Sequence, residues 1–158
     1  MSNMKVKNKE QYLAKVLLDI YDSANSLYED EKRLGSEDSF YEIVREHEIL
    51  LAFDDTGTIG YLSYNKTDEK HTLISGLYVT RECQNTGVAG RLINDLKDAS
   101  PGCVLWAKVL KNAAWAKDFY LKHGFELISD DSPLSYELGQ PVKNEPWALL
   151  FAYSADAD

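Results

Sequence analysis
The sequence predicts an α+β fold, a mixed α/β arrangement in which one mixed sheet is covered by helices. Three observations carry this. Apolar residues recur with a helical period through the first third of the chain. A strand-like pattern broken by polar turns takes over past Glu48, and from Val79 onward strand and helix patterns alternate.

Tyr12, Leu13, Val16, Leu17, Ile20, Tyr21 and Ala24 form one apolar stripe on a first helix. Gly35 interrupts it, and Ser36 and Ser39 offer N-caps for a shorter helix to about Glu46. Residues 49–53, the turn Asp54-Asp55-Thr56-Gly57, residues 58–64, the polar turn 66–70 and residues 71–79 then read as an antiparallel meander. In the third strand Leu73, Leu77 and Val79 face one way and Ile74 and Tyr78 the other.

The next helix covers 87–97, with Val88, Leu92, Ile93 and Leu96 as its buried stripe. Ser100-Pro101-Gly102 turns the chain into a strand over 103–109. A helix over 113–123 follows and stops at Gly124, a residue suited to the left-handed cap of a helix. Residues 125–128 and 147–153 supply the last strands, and the stretch 130–146 between them is long enough for a loop with a role of its own.

The 158 residues fit a single domain over 1–158, and 44% hydrophobic with 27% charged residues is ordinary for a globular chain. Seventeen Lys and Arg against 26 Asp and Glu leave a formal charge of −9, which argues against nucleic acid and suits an amine-bearing partner. The apolar run 147–153 is far shorter than the roughly 20 residues of a membrane helix, and no secretory leader is visible, so no membrane association is expected. Cys83 and Cys103 make no disulfide framework, and with the scattered His47, His71 and His123 they show no zinc spacing. The expectation is a cytoplasmic protein without metal.

The most specific stretch runs from Leu77-Tyr78-Val79 through Gln84-Asn85-Thr86-Gly87-Val88-Ala89-Gly90. A strand ends, a short polar loop follows, and a helix opens among small residues. Such a junction presents unpaired backbone N–H groups at the positive end of a helix dipole, which suits a phosphate or pyrophosphate. Gly87, Ala89 and Gly90 would let the anion approach the backbone. A tight packing turn explains the same glycines. The segment is neither a Walker loop nor a dinucleotide fingerprint.

Gln84-x-x-Gly87-x-Ala89 after Leu77-Tyr78-Val79 resembles the Q/R-x-x-G-x-G/A signature of the GCN5-related N-acetyltransferase (GNAT) superfamily, and Ala116-x-x-Phe119-Tyr120-x-Lys122-x-Gly124-Phe125 resembles its later helix and strand. The strong likeness covers about half the chain, roughly 48–128, with both motifs in the family's order. It implies a mostly antiparallel sheet of about six to seven strands with about four helices, and acetyl-CoA as cofactor. By this resemblance the pantetheine arm would pair along the strand carrying Leu77, Tyr78 and Val79. The pyrophosphate would sit on amides of Gln84, Asn85, Thr86, Gly87, Val88, Ala89 and Gly90. The residue matching Tyr120 protonates the departing thiolate, and a phenol of reference pKa near 10 can donate at neutral pH. Tyr120 also falls on a helical stripe with Trp115, Ala116 and Phe119, where a core role is the alternative.

Three features depart from the family pattern. Its helix-opening asparagine would fall at Ala113, whereas this chain has Asn112, read as a helix cap that also stands as a candidate pantetheine contact. The family's general-base glutamate would fall at Leu73 or Ser75, neither a carboxylate; Glu42, Glu46, His71 and Asp131 are weaker candidates, and no base is named. The opening strand is represented only by a stub at 4–7. Glu29, Asp30, Glu31, Glu37 and Asp38 could draw a cationic acceptor, although a solvated face explains them too. Arg81, Arg91, Lys111 and Lys117 lie where they could offset the cofactor's charge.

The resemblance thus implies an acetyl-CoA-dependent N-acetyltransferase acting on a primary amine of a small molecule or peptide by direct transfer in a ternary complex. The alternative is a non-catalytic acyl-CoA-binding sensor or scaffold. An acetyltransferase of charged tRNA is a third idea, opposed by the charge. Relatives often form homodimers, and nothing in the sequence fixes the oligomeric state.

Overall fold
The computed structural model describes residues 2–24, 37–128 and 148–154, with side chains described from residue 10 in the first helix and from 38 in the second. The chain packs as two compact units, Met1–Ser63 with Gly76–Asp95, and Tyr64–Ser75 with Leu96–Asp158. Its elements are α1 (Ser2–Ala24), α2 (Glu37–Glu46), β1 (Glu48–Asp54), β2 (Gly57–Lys66), β3 (His71–Val79), a 3-10 turn (Arg81–Cys83), α3 (Val88–Ala99), β4 (Val104–Leu110), α4 (Ala114–Lys122), β5 (Glu126–Leu127) and β6 (Ala148–Ser154). The six strands are ordered β1-β2-β3-β4-β6-β5. With four helices among the described residues, this is the expected mixed architecture.

β3 and β4 run parallel, with His71 opposite Val104 and Ile74 opposite Ala107. A parallel neighbour needs a crossover, and α3 is that crossover. β6 pairs antiparallel with both β4 and β5.

In the first unit, Ala14, Leu17 and Ile20 of α1 meet Phe40 of α2 and Tyr61 of β2, with Ile49, Leu51 and Tyr78 packed around them. Burying each of the larger side chains is worth about 1.5–3 kcal/mol. Tyr21 joins this core through its ring, 5.5 Å from Phe40 and 5.0 Å from Tyr78. In the second unit Val104, Trp106, Ile128, Leu150 and Ala152 form the centre, with Leu73 against them. Trp106 is fully buried, and its indole N–H donates to His71 Nδ1 at 2.8 Å.

Three local expectations are corrected. Residues 4–7 belong to α1 and form no strand stub. The stretch from Ser2 to Ala24 holds neither Gly nor Pro, and its four Lys and three Leu are good helix formers, so helix propensity prevails over the β-branched Val6, Val16 and Ile20. Ser39 lies inside α2 and is no cap, while Ser36 lies outside the described residues. α4 takes Ala113 as its N-cap with no side-chain cap bond, so Asn112 stands one position too early to cap it. Glu29, Asp30, Glu31, Asp131 and the stretch 130–146 lie outside the described residues. No helix among the described residues is long and apolar enough to cross a membrane.

Candidate active site
The turn that opens α3 is shaped by two left-handed residues, Asn85 at φ 64° and Gly87 at φ 90°. Asparagine and glycine tolerate this region better than other residues, which explains why they stand here. The first bond of the α3 ladder runs from Arg91 N–H to the Gly87 carbonyl, 3.1 Å. The N–H groups of Val88, Ala89 and Gly90 precede it and have no intrahelical partner. Gly87 is exposed, and a Cβ built there would meet nothing within 4 Å. The space at the Gly87 Cβ position is therefore open, and the neighbouring donor set suits a pyrophosphate.

The turn is braced from behind. Gln84 Nε2 donates to the Val79 carbonyl at 3.1 Å and to the Ala24 carbonyl at 3.4 Å. Arg81 N–H donates to Ser23 Oγ at 2.9 Å, Thr80 N–H to the Ile59 carbonyl at 2.9 Å, and the Thr86 hydroxyl to the Cys83 carbonyl. The Gln84 side chain is thus engaged with the end of β3 and the end of α1. Its part is to fix the loop that opens α3.

Val79 is buried, while Leu77 and Tyr78 are half-buried. Tyr78 lies among Tyr21 and Tyr61, and burial, reinforced by Tyr21, pushes its phenol above the usual value. Burial also pushes Tyr61 upward, so these two hydroxyls stay protonated at neutral pH. Gly60, overlooked in the sequence, allows a close approach: a Cβ there would lie 3.2 Å from the Tyr78 carbonyl and from Val88 Cγ1. Its one signal is a glycine in mid-strand, which marks tight backbone contact.

Tyr120 and Asn112 belong to the second unit. Tyr120 is 7% exposed, its ring edge-on to Phe125 at 5.1 Å and stacked on Phe151 at 6.0 Å. Asn112 is exposed in the turn before α4. Leu73 is half-buried against the core of this unit and Ser75 is exposed, and neither is a carboxylate. The Nδ1 lone pair of His71 accepts the Trp106 bond, so neutral His71 carries its proton on Nε2 and has no ring lone pair left for general-base work. Glu42 and Glu46 are exposed on α2. Arg81, Arg91 and Lys111 are exposed as well, and Lys117 is half-buried. Cys83 is half-buried and Cys103 buried, both free thiols.

Residues 17–125 match the model of the Acetyltransferase (GNAT) family. The chain belongs to this family and is an acetyltransferase. Solved structures agree on the fold. Tetrahymena GCN5 is 18% identical, with a TM-score of 0.66 over 89% of this chain and 86% of that one. A GNAT family acetyltransferase from Elizabethkingia anophelis, solved with acetyl-CoA bound, is 18% identical, with a TM-score of 0.60 over 85% of this chain and 89% of that one. The PaiA N-acetyltransferase from Thermoplasma acidophilum, in complex with coenzyme A, is 13% identical, with a TM-score of 0.62 over 93% of each chain. Among curated proteins, sequence comparison finds no match.

Proposed function
We propose that the chain, as one acetyltransferase domain over 1–158, moves the acetyl group of acetyl-CoA to a primary amine of a small molecule or peptide by direct transfer. Acetyl-CoA is the cofactor. The observation that carries this reading is the turn at 84–90, where two left-handed residues are followed by the unpaired donors of Val88, Ala89 and Gly90. Those amides would hold the pyrophosphate, with Gly87 leaving room above them. Leu77, Tyr78 and Val79, which follow the stretch of β3 paired with β4, would carry the pantetheine, and the exposed Asn112 is a further candidate contact.

In the transfer the amine nitrogen bonds to the acetyl carbon and the carbon–sulfur bond breaks. Tyr120 gives its phenolic proton to the leaving thiolate; the ammonium nitrogen loses one proton to water before attack and a second as the amide forms, and that second proton, passed through water, restores the Tyr120 phenol. The acceptor arrives largely as ammonium, whose pKa near 10 requires deprotonation before attack. Positioning in a ternary complex and backbone N–H polarisation of the thioester near Val79 supply the rest of the rate. Cytoplasmic location and, where relatives form pairs, a homodimer complete the reading.

Calorimetric titration with acetyl-CoA, CoA and ADP, followed by transfer to spermidine, polylysine and free amino acids, tests it. Micromolar binding of acetyl-CoA with transfer to at least one amine is expected. Folded protein that binds no acetyl-CoA overturns the cofactor site. Tight binding without transfer favours the second reading, an acyl-CoA-binding sensor or scaffold, for which the leucine and serine at positions 73 and 75 are the specific support.

A further inference from the structure
We propose that Lys97 is a positioning residue for Tyr120, an inference that rests on the reading of Tyr120 as the acid. α4 ends in a closed turn. Phe125 N–H donates to the Tyr120 carbonyl at 3.0 Å and Gly124 N–H to the Leu121 carbonyl at 3.2 Å, with Gly124 at φ 88°. This is the Schellman arrangement, in which the sixth residue bonds back to the first and an apolar pair closes over the bond. Tyr120 is the first residue of that turn and Phe125 the last, and their rings meet edge-on.

The turn satisfies the carbonyls of Tyr120 and Leu121, but the carbonyl of His123 points out of the helix end. Lys97, in the last turn of α3, donates to it from Nζ at 2.6 Å. The same ammonium lies 4.1 Å from the centre of the Tyr153 ring, and that ring lies 5.6 Å from Phe125. The contacts close a circuit: Lys97 to His123, back along the turn to Tyr120, across to Phe125, to Tyr153 and back to Lys97. The cation also stands at the negative end of the α4 dipole.

A lysine in the last turn of a helix is ordinarily a solvated charge. Here burial holds its pKa below the usual lysine value, so the ammonium is kept partly out of water. The carbonyl and the ring are the contacts that offset that cost. Gly124 belongs to the same arrangement, since a Cβ there would sit 3.5 Å from the Tyr153 ring and 4.0 Å from Lys97 Nζ. With Lys97 removed, the end of α4 loses its tie to α3 and the ring of Tyr120 loses its fixed height on the helix.

Five proteins test this: wild type, Lys97→Met, Lys97→Arg, Tyr120→Phe and the Lys97→Met/Tyr120→Phe double variant. Each is assayed with the best acceptor of the amine panel and by amide hydrogen exchange. Lys97→Met should exchange the amides of His123, Gly124 and Phe125 at least tenfold faster, with those of β4 and β6 unchanged. Its kcat should fall about tenfold while the KM for acetyl-CoA stays within twofold, and Lys97→Arg should recover most of the loss. In the Tyr120→Phe background Lys97→Met should cost nothing further. Unchanged exchange at 123–125, an unchanged kcat, or an equal loss in both backgrounds would overturn the positioning role. Should Lys97→Met fail to fold, Lys97→Arg and Lys97→Gln carry the same comparison, and equal kcat for those two would overturn it. A fully active Tyr120→Phe enzyme removes the acid assignment itself, separately from anything Lys97 shows, and this inference with it.

Discussion

In the proposed function the turn at 84–90 works through the backbone, whereas α4 works through one side chain held by packing. In the turn, Asn85 and Gly87 take left-handed conformations, and Gln84 and Ser23 hold it from behind. In α4 the backbone is an ordinary short helix, and what distinguishes Tyr120 is the ring contact with Phe125 and Phe151 and the closing turn below it. A backbone site tolerates many side chains but few conformations. A packed side-chain site tolerates many conformations nearby but few replacements of the residue itself.

The sharpest test of that contrast is Tyr120→Phe. It keeps the ring packing and removes one hydroxyl, so kcat should fall by about 100-fold or more if the phenol is the acid. The dissociation constant for acetyl-CoA, measured by calorimetry, should stay within twofold. Equal kcat would reduce α4 to a packing element.

Next in size is Gly87→Val. A branched residue at φ 90° costs about 1–2 kcal/mol of stability, and its side chain fills the open space at the turn. Acetyl-CoA affinity should fall about 10- to 100-fold, the equivalent of one or two hydrogen bonds to a charged group. Gly87→Ala carries most of the strain with less of the bulk. Affinity losses of the same size in both would mean that conformation, and not space, governs the turn.

Trp106→Phe tests whether the second unit depends on its packed interior. It leaves His71 Nδ1 without the indole donor and should lower stability by about 1–3 kcal/mol in denaturant unfolding, with acetyl-CoA affinity little changed. A loss under half a kilocalorie would mean the bond is replaced by water.

The smallest effect is a titration. His123 has its pKa lowered from 6.5, first by burial and then by the charges of Lys97 and Lys122. Its folded value lies below its unfolded one, so between them the unfolded chain holds more protons. Its contribution to stability is therefore complete above about pH 6.5 and is lost as pH falls through the folded value. NMR titration of the imidazole should give a midpoint below 6.5, and Lys97→Met should move it upward. A midpoint at or above 6.5 in the wild type would place His123 in open water.

Much of this was legible from residue order. The strand at 71–79 matches β3 at both ends, and those at 49–53, 58–64 and 103–109 differ from β1, β2 and β4 by only a residue or two, because alternation and turn residues are local signals. The stripe Val88, Leu92, Ile93 and Leu96 is buried as its spacing requires. The misreadings fell where two local signals competed: residues 4–7 could serve either a strand or a helix, and Asn112 and Ala113 stood side by side at a helix start. Gly60 and Lys97 were passed over because their partners are distant along the chain.

The sequence by itself determined the elements, their order, and a loop whose small residues admit a left-handed backbone. It also determined membership of the family, since spacing within a motif is a local property. Tertiary structure alone decided that Gln84 braces the loop, that His71 gives its lone pair to Trp106, and that Lys97 caps α4 beside Tyr153. Those assignments join residues far apart along the chain, such as Gln84 and Ala24, 60 positions apart, or His71 and Trp106, 35 apart. Whether a polar side chain faces water or a buried partner depends on which elements the folded chain brings together, and no window of sequence contains that information.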